Sequence, residues 1–322
     1  GLRPYGSPSI EVASASDYPA TLQKNGILLE VEARKTLIET EAKKLAASVG
    51  GAVILPAELL SEVANLVEAP FPFLGKFETE YLSLPKEVLI SVMKKHQRYF
   101  PLEKDGKLLP YFVAVRNGDS QGLDLVRSGN EHVIRARFAD ANFFVREDLK
   151  HNLEFFRTKL GSLIFQKALG SMLDKSDRIK ELVDGLIPML GLDADEAVFA
   201  RRAAHLCKAD LATRMVVEMT SLQGIMGAEY ARRGGEHPSV ADAIAGQYLT
   251  VPPTPPGLAV ALADRLDSLT GLFAAGLLPN ATKDPFGLRR AALGVVQPLI
   301  EHDISLNLKD AIHAAAQLQP VP

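Results

Sequence analysis

The sequence predicts two domains of different class: an α+β domain of helices with a small mixed sheet over residues 1–150, then an all-α domain over residues 151–322. Three patterns carry this. Proline-initiated stretches with apolar residues at helical spacing fill most of the chain. One pair of aromatic and branched runs, separated by Asp105-Gly106, breaks that period. Beyond about Gly129 no strand-like run of comparable length returns.

Residues from Gly1 to about Pro19 are rich in Gly, Pro and Ser and read as an extended, turn-rich lead-in. Glu32 to Val49 is predicted helical, with Leu37, Ile38, Leu45 and Val49 at helical spacing and Gly50-Gly51 as the stop. Pro56 opens a second helix through Leu59, Leu60, Val63 and Val67 that ends at Pro70. Pro85 opens a third through Val88, Leu89, Val92 and Met93. Arg98 to Leu102 and Leu108 to Val115 then read as a hairpin, its second strand nearly continuous in apolar residues, as in a strand covered on both faces.

The domain boundary falls near Lys150 and His151, and the helical half turns at Gly161, Gly170, Pro188 to Asp193, Gly234-Gly235, Pro252 to Pro256 and Pro279. The run Pro252-Pro253-Thr254-Pro255-Pro256 reads as a stiff linker or surface loop. Near the end, Asp284-Pro285 predicts a helix start, because the carboxylate can accept a free N–H and Pro has none to waste. Leu288, Ala292 and Val295, widened by Leu293 and Val296, form its predicted buried face, and Arg289 and Arg290 are carried past the edge. Cations in a first turn face the positive end of the macrodipole, so they require an anionic partner, either a neighbour such as Asp284 or a phosphate.

At 322 residues the chain can bury a core in each of two domains, and 47% hydrophobic with 23% charged residues describes a globular protein without a membrane partner. The single cysteine, Cys207, excludes an internal disulfide and reads as a small buried apolar side chain. A net charge of −3 does not flag nucleic-acid binding, so such binding would need segregation of the 36 basic residues. Four clusters offer that. Lys94, Lys95 and Arg98 stand beside Tyr99 and Phe100, an interleaving that could stack a base while holding phosphate, although hairpin aromatics are more often core. Arg135 and Arg137 form a second cluster, and Arg232-Arg233 a third. Arg201, His205 and Lys208 fall at i, i+4 and i+7, which aligns them on one helix face with Arg202 at its flank.

No catalytic residue and no metal ligand is assigned. There is no Walker-type phosphate loop and no nucleophile elbow, and Gly224 to Gly227 is an isolated pair of glycines. Cys207, His205 and Asp210 point in different directions on a helix.

The run Lys283-Asp284-Pro285-Phe286-Gly287-Leu288-Arg289-Arg290-Ala291-Ala292-Leu293-Gly294 closely resembles a signature of the β-subunit of bacterial-type glycyl-tRNA synthetase, a heteromeric enzyme found in plastids as an αβ fusion. Leu84 to Ile90 with His96 to Pro101, Gly129-Asn130-Glu131 with Arg135 to Ala141, Lys208 to Leu211, Gln223 to Gly227 and Ala263 to Asp267 are similar to that family, in family order. The resemblance implies a central fragment without the family's N-terminal opening or anticodon-binding region. It also implies an α+β domain resembling the editing-type module of phenylalanyl-tRNA synthetase, and a helical domain resembling a degenerate HD phosphohydrolase domain. The implied function is to position the acceptor arm of tRNA-Gly for ATP-dependent glycylation on the α-subunit, separate or fused, in a heterotetramer. ATP and Mg would be used by the α-subunit, with no cofactor on this segment. The implied location is the bacterial cytoplasm, or a plastid or mitochondrion in a plant. On this basis Lys94, Lys95, Arg98, Arg135, Arg137, Arg201, His205, Lys208, Arg289 and Arg290 are the expected tRNA-binding residues.

Two other readings stay open. Ala263 to Asp267 resembles the segment that supplies the distal Asp of an HD metal site, which would make the chain a metal-dependent phosphohydrolase. Against it, Lys208-Ala209-Asp210 stands where a His-Asp pair would be sought, His302-Asp303 is out of order, and a protonated Lys repels a divalent cation. Asp210, Asp264 and Asp267 are therefore expected in structural ion pairs. The second alternative is a scaffold for the α-subunit without tRNA contact. Hydrolysis of mischarged tRNA has no residue constellation to support it.

Overall fold

The computed structural model describes residues 9–321, in two units, Gly1–Phe143 and Phe144–Pro322. The division lies inside one continuous helix, ahead of the boundary expected at Lys150 and His151, because no linker composition marks it.

Residues 1–8 of the first unit's lead-in lie outside the described residues, and α1 (Tyr18–Lys24) already carries Pro19 in its first turn. Then follow α2 (Val31–Ser48), β1 (Ala52–Val53), α3 (Ala57–Leu66), β2 (Pro70–Lys76), α4 (Lys86–Ser91), β3 (Phe100–Lys104), β4 (Lys107–Asn117) and α5 (Leu123–Asp148). The helices starting after Glu30 and Pro56 and the Asp-Gly hairpin form as expected, with Asp105 and Gly106 both at positive φ, 50° and 76°.

The sheet differs from expectation in two ways. It is antiparallel throughout, not mixed, in the order β1-β3-β4-β2. It also contains β2, which the sequence hides behind Pro70, Pro72 and Gly75. Prolines donate nothing to a ladder, and β2 tolerates them because it is an edge strand paired only with β4. Gly75 is required there, since a Cβ would sit 2.3 Å from the Phe112 ring. Ile38, Ala42 and Ala46 of α2 and Leu59, Val63 and Ala64 of α3 pack on Phe100, Leu102 and Val113 of the sheet.

In the second unit α6 (Leu153–Lys159) leads to a short hairpin, β5 (Ile164–Gln166) with β6 (Gly170–Ser171). Then come α7 (Met172–Leu190), α8 (Ala194–Leu206), α9 (Arg214–Glu218), α10 (Ile225–Arg233), α11 (Pro238–Gly246), α12 (Pro255–Ala274), α13 (Leu288–Glu301) and α14 (Leu308–Gln317). The axis of this unit is α12. Its stretch from Leu258 to Ala263 is buried residue by residue, and α7, α8, α11, α13 and α14 pack around it.

Three local expectations are corrected. The Pro252 to Pro256 run is a helix start, not a linker: Thr254 Oγ1 accepts the Gly257 N–H at 3.2 Å while Pro255 and Pro256 occupy the first turn. Pro188 lies within α7, whose end is set by Gly191 at φ 68°. Finally, α13 starts at Leu288, not Asp284, because Gly287 adopts φ 66°, and its buried face keeps Leu288 and Val295 of the expected stripe but not the rest. Ala292 is exposed, as are Leu293 at 66% and Val296 at 42%, whereas Leu288, Gly294, Val295, Pro298 and Leu299 are buried. The face containing Gly294 lets α13 approach α12 closely.

Candidate functional site

The Asp284 carboxylate still caps α13, from outside it. Its two oxygens accept the N–H groups of Leu288 at 2.8 Å and Arg289 at 2.9 Å. The Arg289 N–H, with that of Leu288, holds this carboxyl below its usual range. The Arg289 guanidinium donates to the carbonyl of Asn280, whose own side chain closes the preceding turn on Lys283 N at 2.8 Å. Arg290 has no hydrogen-bond or ion-pair partner among the described residues. It lines a cleft of about 620 Å³ together with Asp284, Tyr248, Asp264, Arg265 and Gln297. Arg265 spans two elements, donating to Gly294 O and Leu249 O, each at 2.5 Å.

Below that cleft lies a buried ionic cluster. Lys208 Nζ lies 2.7 Å from Asp264 Oδ2, and Lys175 Nζ lies 2.9 Å from Asp264 Oδ1 and 2.8 Å from Asp267 Oδ2. Arg178 Nε donates to Asp267 Oδ1 at 2.6 Å. Burial alone would raise both carboxyls, but Lys175 with Lys208 on Asp264, and Lys175 with Arg178 on Asp267, outweigh it and hold both low. Three cations thus surround two carboxylates. That donor set does not fit a divalent ion, and no group of three metal-ligating side chains occurs among the described residues.

Asp264 and Asp267 are ion-pair members as expected, but Asp210 is not. It is fully buried and accepts the backbone N–H groups of Gly224 at 2.5 Å and Gly227 at 3.2 Å. Burial pushes its carboxyl up to about 6. Cys207 is buried as expected, its thiol pushed up to about 12 by desolvation.

The expected RNA-contacting cations fall into two groups. Lys94 and Lys95 lie on the π-helical turn Val92–His96, which continues α4, and like the exposed Arg137 they have no hydrogen-bond or ion-pair partner among the described residues. Arg290, described above, joins them; the rest are engaged. Arg98, at φ 56°, pairs with Glu62 at 2.5 Å, Arg135 with Glu78 at 2.5 Å, and Arg201 with Asp184 at 2.5 Å. His205 meets Glu154 at 2.9 Å, and Arg202 bridges Glu154 and Glu236. In the third cluster, Arg232 pairs with Asp242 and Arg233 with Glu229.

The predicted stripe of Arg201, His205 and Lys208 does not form one surface. Lys208 is only 3% exposed, because α8 ends at Leu206 and the chain turns the lysine inward to Asp264. The aromatic neighbours of Arg98 take the commoner hairpin role weighed in the sequence. Tyr99 and Phe100 are core residues, Tyr99 stacking on Phe112 at 4.5 Å with its hydroxyl donating to Asn130.

Sequence reasoning missed Lys175 and Arg178. The signal was present as two pairs one helical turn apart, Lys175 with Arg178 and Asp264 with Asp267, on helices that pack together.

Residues 1–321 match the sequence model of the family described as glycyl-tRNA synthetase beta subunit, which sets the chain among the aminoacyl-tRNA synthetases. The chain is 47% identical to the glycine–tRNA ligase beta subunit of Clostridioides difficile, over 98% of this chain and 46% of that protein. It is 45% identical to the chloroplastic/mitochondrial glycine–tRNA ligase 2 of Arabidopsis thaliana, over 99% of this chain and 31% of that protein. With the beta subunit of Shewanella woodyi it shares 43% identity, over 99% of this chain and 47% of that protein. The chain belongs to the glycyl-tRNA synthetase β-subunit family and spans less than half the length of these relatives.

Proposed function

We propose that this chain holds tRNA-Gly for a glycine–tRNA ligase, contributing orientation to a reaction whose ATP, Mg and glycine are bound by an α-subunit, separate or fused. The first unit would correspond to an editing-type module and the second to an HD-like domain in which lysines replace the metal. The setting would be the bacterial cytoplasm or a plant organelle. The observation that carries the reading is Arg290, an exposed guanidinium without a partner among the described residues, on a cleft lined by the segment that resembles a signature of the family. Such a fixed cation attracts a backbone phosphate without reading sequence, as shape-based recognition of an RNA end requires. Holding the acceptor end in register lowers the entropy demand of acyl transfer and leaves adenylate formation untouched. No helix among the described residues is long and apolar enough to cross a membrane.

The test is charge reversal in the full-length assembled enzyme. Arg290→Glu is expected to weaken tRNA-Gly binding and to lower the slope of log affinity against log salt by about one. Exchange of pyrophosphate into ATP with glycine should be unchanged. Unchanged tRNA affinity and slope would instead favour a scaffold that never touches the RNA.

A further inference from the structure

A second cleft, of about 470 Å³, opens in the Phe144–Pro322 unit around residues that none of the family signatures includes. The side chain of Asn152 accepts the Phe155 N–H at 3.1 Å and starts α6, which places His151, Phe155 and Lys159 at four-residue intervals on one side. The imidazole of His151 lies parallel to the Phe155 ring, centroids 3.8 Å apart and planes 16° apart. Lys159 Nζ stands 5.0 Å from the centroid of Phe155, and Phe156 meets the same ring edge-on. His151 is exposed, and neither of its ring nitrogens has a hydrogen-bond partner among the described residues. A flat surface is thus held rigidly from beneath and left open above.

The charges around it are unbalanced. Two acids line the cleft, and both are engaged. Glu147 pairs with Lys150 at 2.5 Å, and Asp148 accepts Arg214 N, Met215 N and the Tyr230 hydroxyl. Among the described residues, Lys159 and the guanidinium of Arg214 have no carboxylate partner. A stacking platform flanked by two cations without carboxylate partners matches an aromatic ring joined to an anion, and single-stranded nucleic acid carries that pair at every residue.

We infer that the His151–Phe155 stack is a platform for one unpaired base of a bound RNA, with Lys159 and Arg214 taking the adjoining phosphates. The inference rests on the RNA-holding reading above, and its test is separable from that one. Labelled tRNA-Gly transcript is titrated onto the full-length assembled enzyme at several salt concentrations. His151→Ala is expected to weaken binding ~5- to 150-fold, and His151→Tyr, which restores a flat ring, to stay close to wild type. The double variant Lys159→Ala/Arg214→Ala should lower the salt slope by about two. If His151→Ala binds as wild type does and the double variant keeps its slope, the platform is overturned, while weakened binding by Arg290→Glu would leave the RNA-holding reading in place. Loss of α-subunit co-purification with tRNA affinity intact would assign this face to a protein partner, which also overturns the inference.

Discussion

Lys208 Nζ lies 2.7 Å from Asp264 Oδ2 in the interior of a helical unit, with Lys175 on the other oxygen of the same carboxylate. The ammonium groups stand where a carboxylate-rich helical core could otherwise gather a cation from solution. They are part of the chain, so the charge balance is covalently guaranteed. Tyr248 completes the surroundings, its hydroxyl 3.2 Å from Lys208 Nζ and its ring 4.4 Å from it.

Removing one member of this cluster should therefore be costly. Lys208→Met leaves Asp264 with Lys175 alone, and breaking a buried pair from one side costs about 3–5 kcal/mol. The lower end is expected, because Lys175 remains and the Asp264 side chain is 19% exposed. In an Asp264→Asn background the same substitution should cost less, since no charge is stranded. Urea unfolding of the four proteins in that cycle measures the coupling. Equal losses in both backgrounds would show that the pair is not coupled.

Asp210 gives a pH dependence of the opposite kind to Asp264. Its carboxyl titrates at about 6 in the folded chain because it is buried, against ~3.9 when unfolded. Between those values the folded state keeps a proton that the unfolded chain has lost, so this group's contribution falls as pH rises from about 4 to 6. Asp264 and Asp267 are held low, so their contribution is present above about pH 4 and is lost as pH falls further. Asp210→Asn should lose only the first dependence. The stability of wild type minus that of the variant should fall by up to ~3 kcal/mol from pH 4 to pH 7. Urea midpoints across that range check it, and parallel curves would contradict it.

Arg289 and Arg290 look equivalent in the sequence but differ in the fold. Arg289 ties α13 to the turn at Asn280, whereas Arg290 has no hydrogen-bond or ion-pair partner among the described residues. Arg289→Ala is expected to lower stability by about 1 kcal/mol, and Arg290→Ala to stay within ~0.5 kcal/mol of wild type. Thermal or urea unfolding distinguishes the two, and reversed effects would remove Arg290 as the free cation of the cleft.

That pair shows what was legible and what was not. Capping by Asp284, the Asp105-Gly106 hairpin and the helices behind Glu30 and Pro56 depend on neighbours in sequence, and each is readable there. The edge strand from Pro70 was hidden because its prolines contradict a strand unless its place at the edge is known. Lys208 and Arg201 share a helical spacing, yet a chain turn after Leu206 separates a buried ion pair from an exposed one. The stack of His151 on Phe155 had a visible four-residue spacing, but its meaning depends on Arg214 arriving from another element. Charge identity is local information, and charge availability is tertiary.

The closeness of α12 and α13 gives the sharpest steric prediction. At Gly294 an added Cβ would lie 2.8 Å from Arg265 Nε, and Arg265 cannot simply swing aside, because its other nitrogens are bonded to Gly294 O and Leu249 O. Gly294→Ala must therefore either push α13 outward or release a half-buried guanidinium from both carbonyls, at a cost of about 1–3 kcal/mol. The methyl's usual advantage in a helix interior, about 1 kcal/mol, is too small to reverse the sign. Trimming the obstacle should restore part of the loss, so Gly294→Ala/Arg265→Ala should be more stable than the sum of the single changes predicts. Because α13 carries Arg290, the proposed RNA-holding role implies that the alanine also weakens tRNA-Gly binding in the assembled enzyme even though it removes no charge. Urea midpoints for the cycle and tRNA titration together decide the matter, and a Gly294→Ala protein of full stability and full affinity would show that this close approach sets neither the fold nor the cleft.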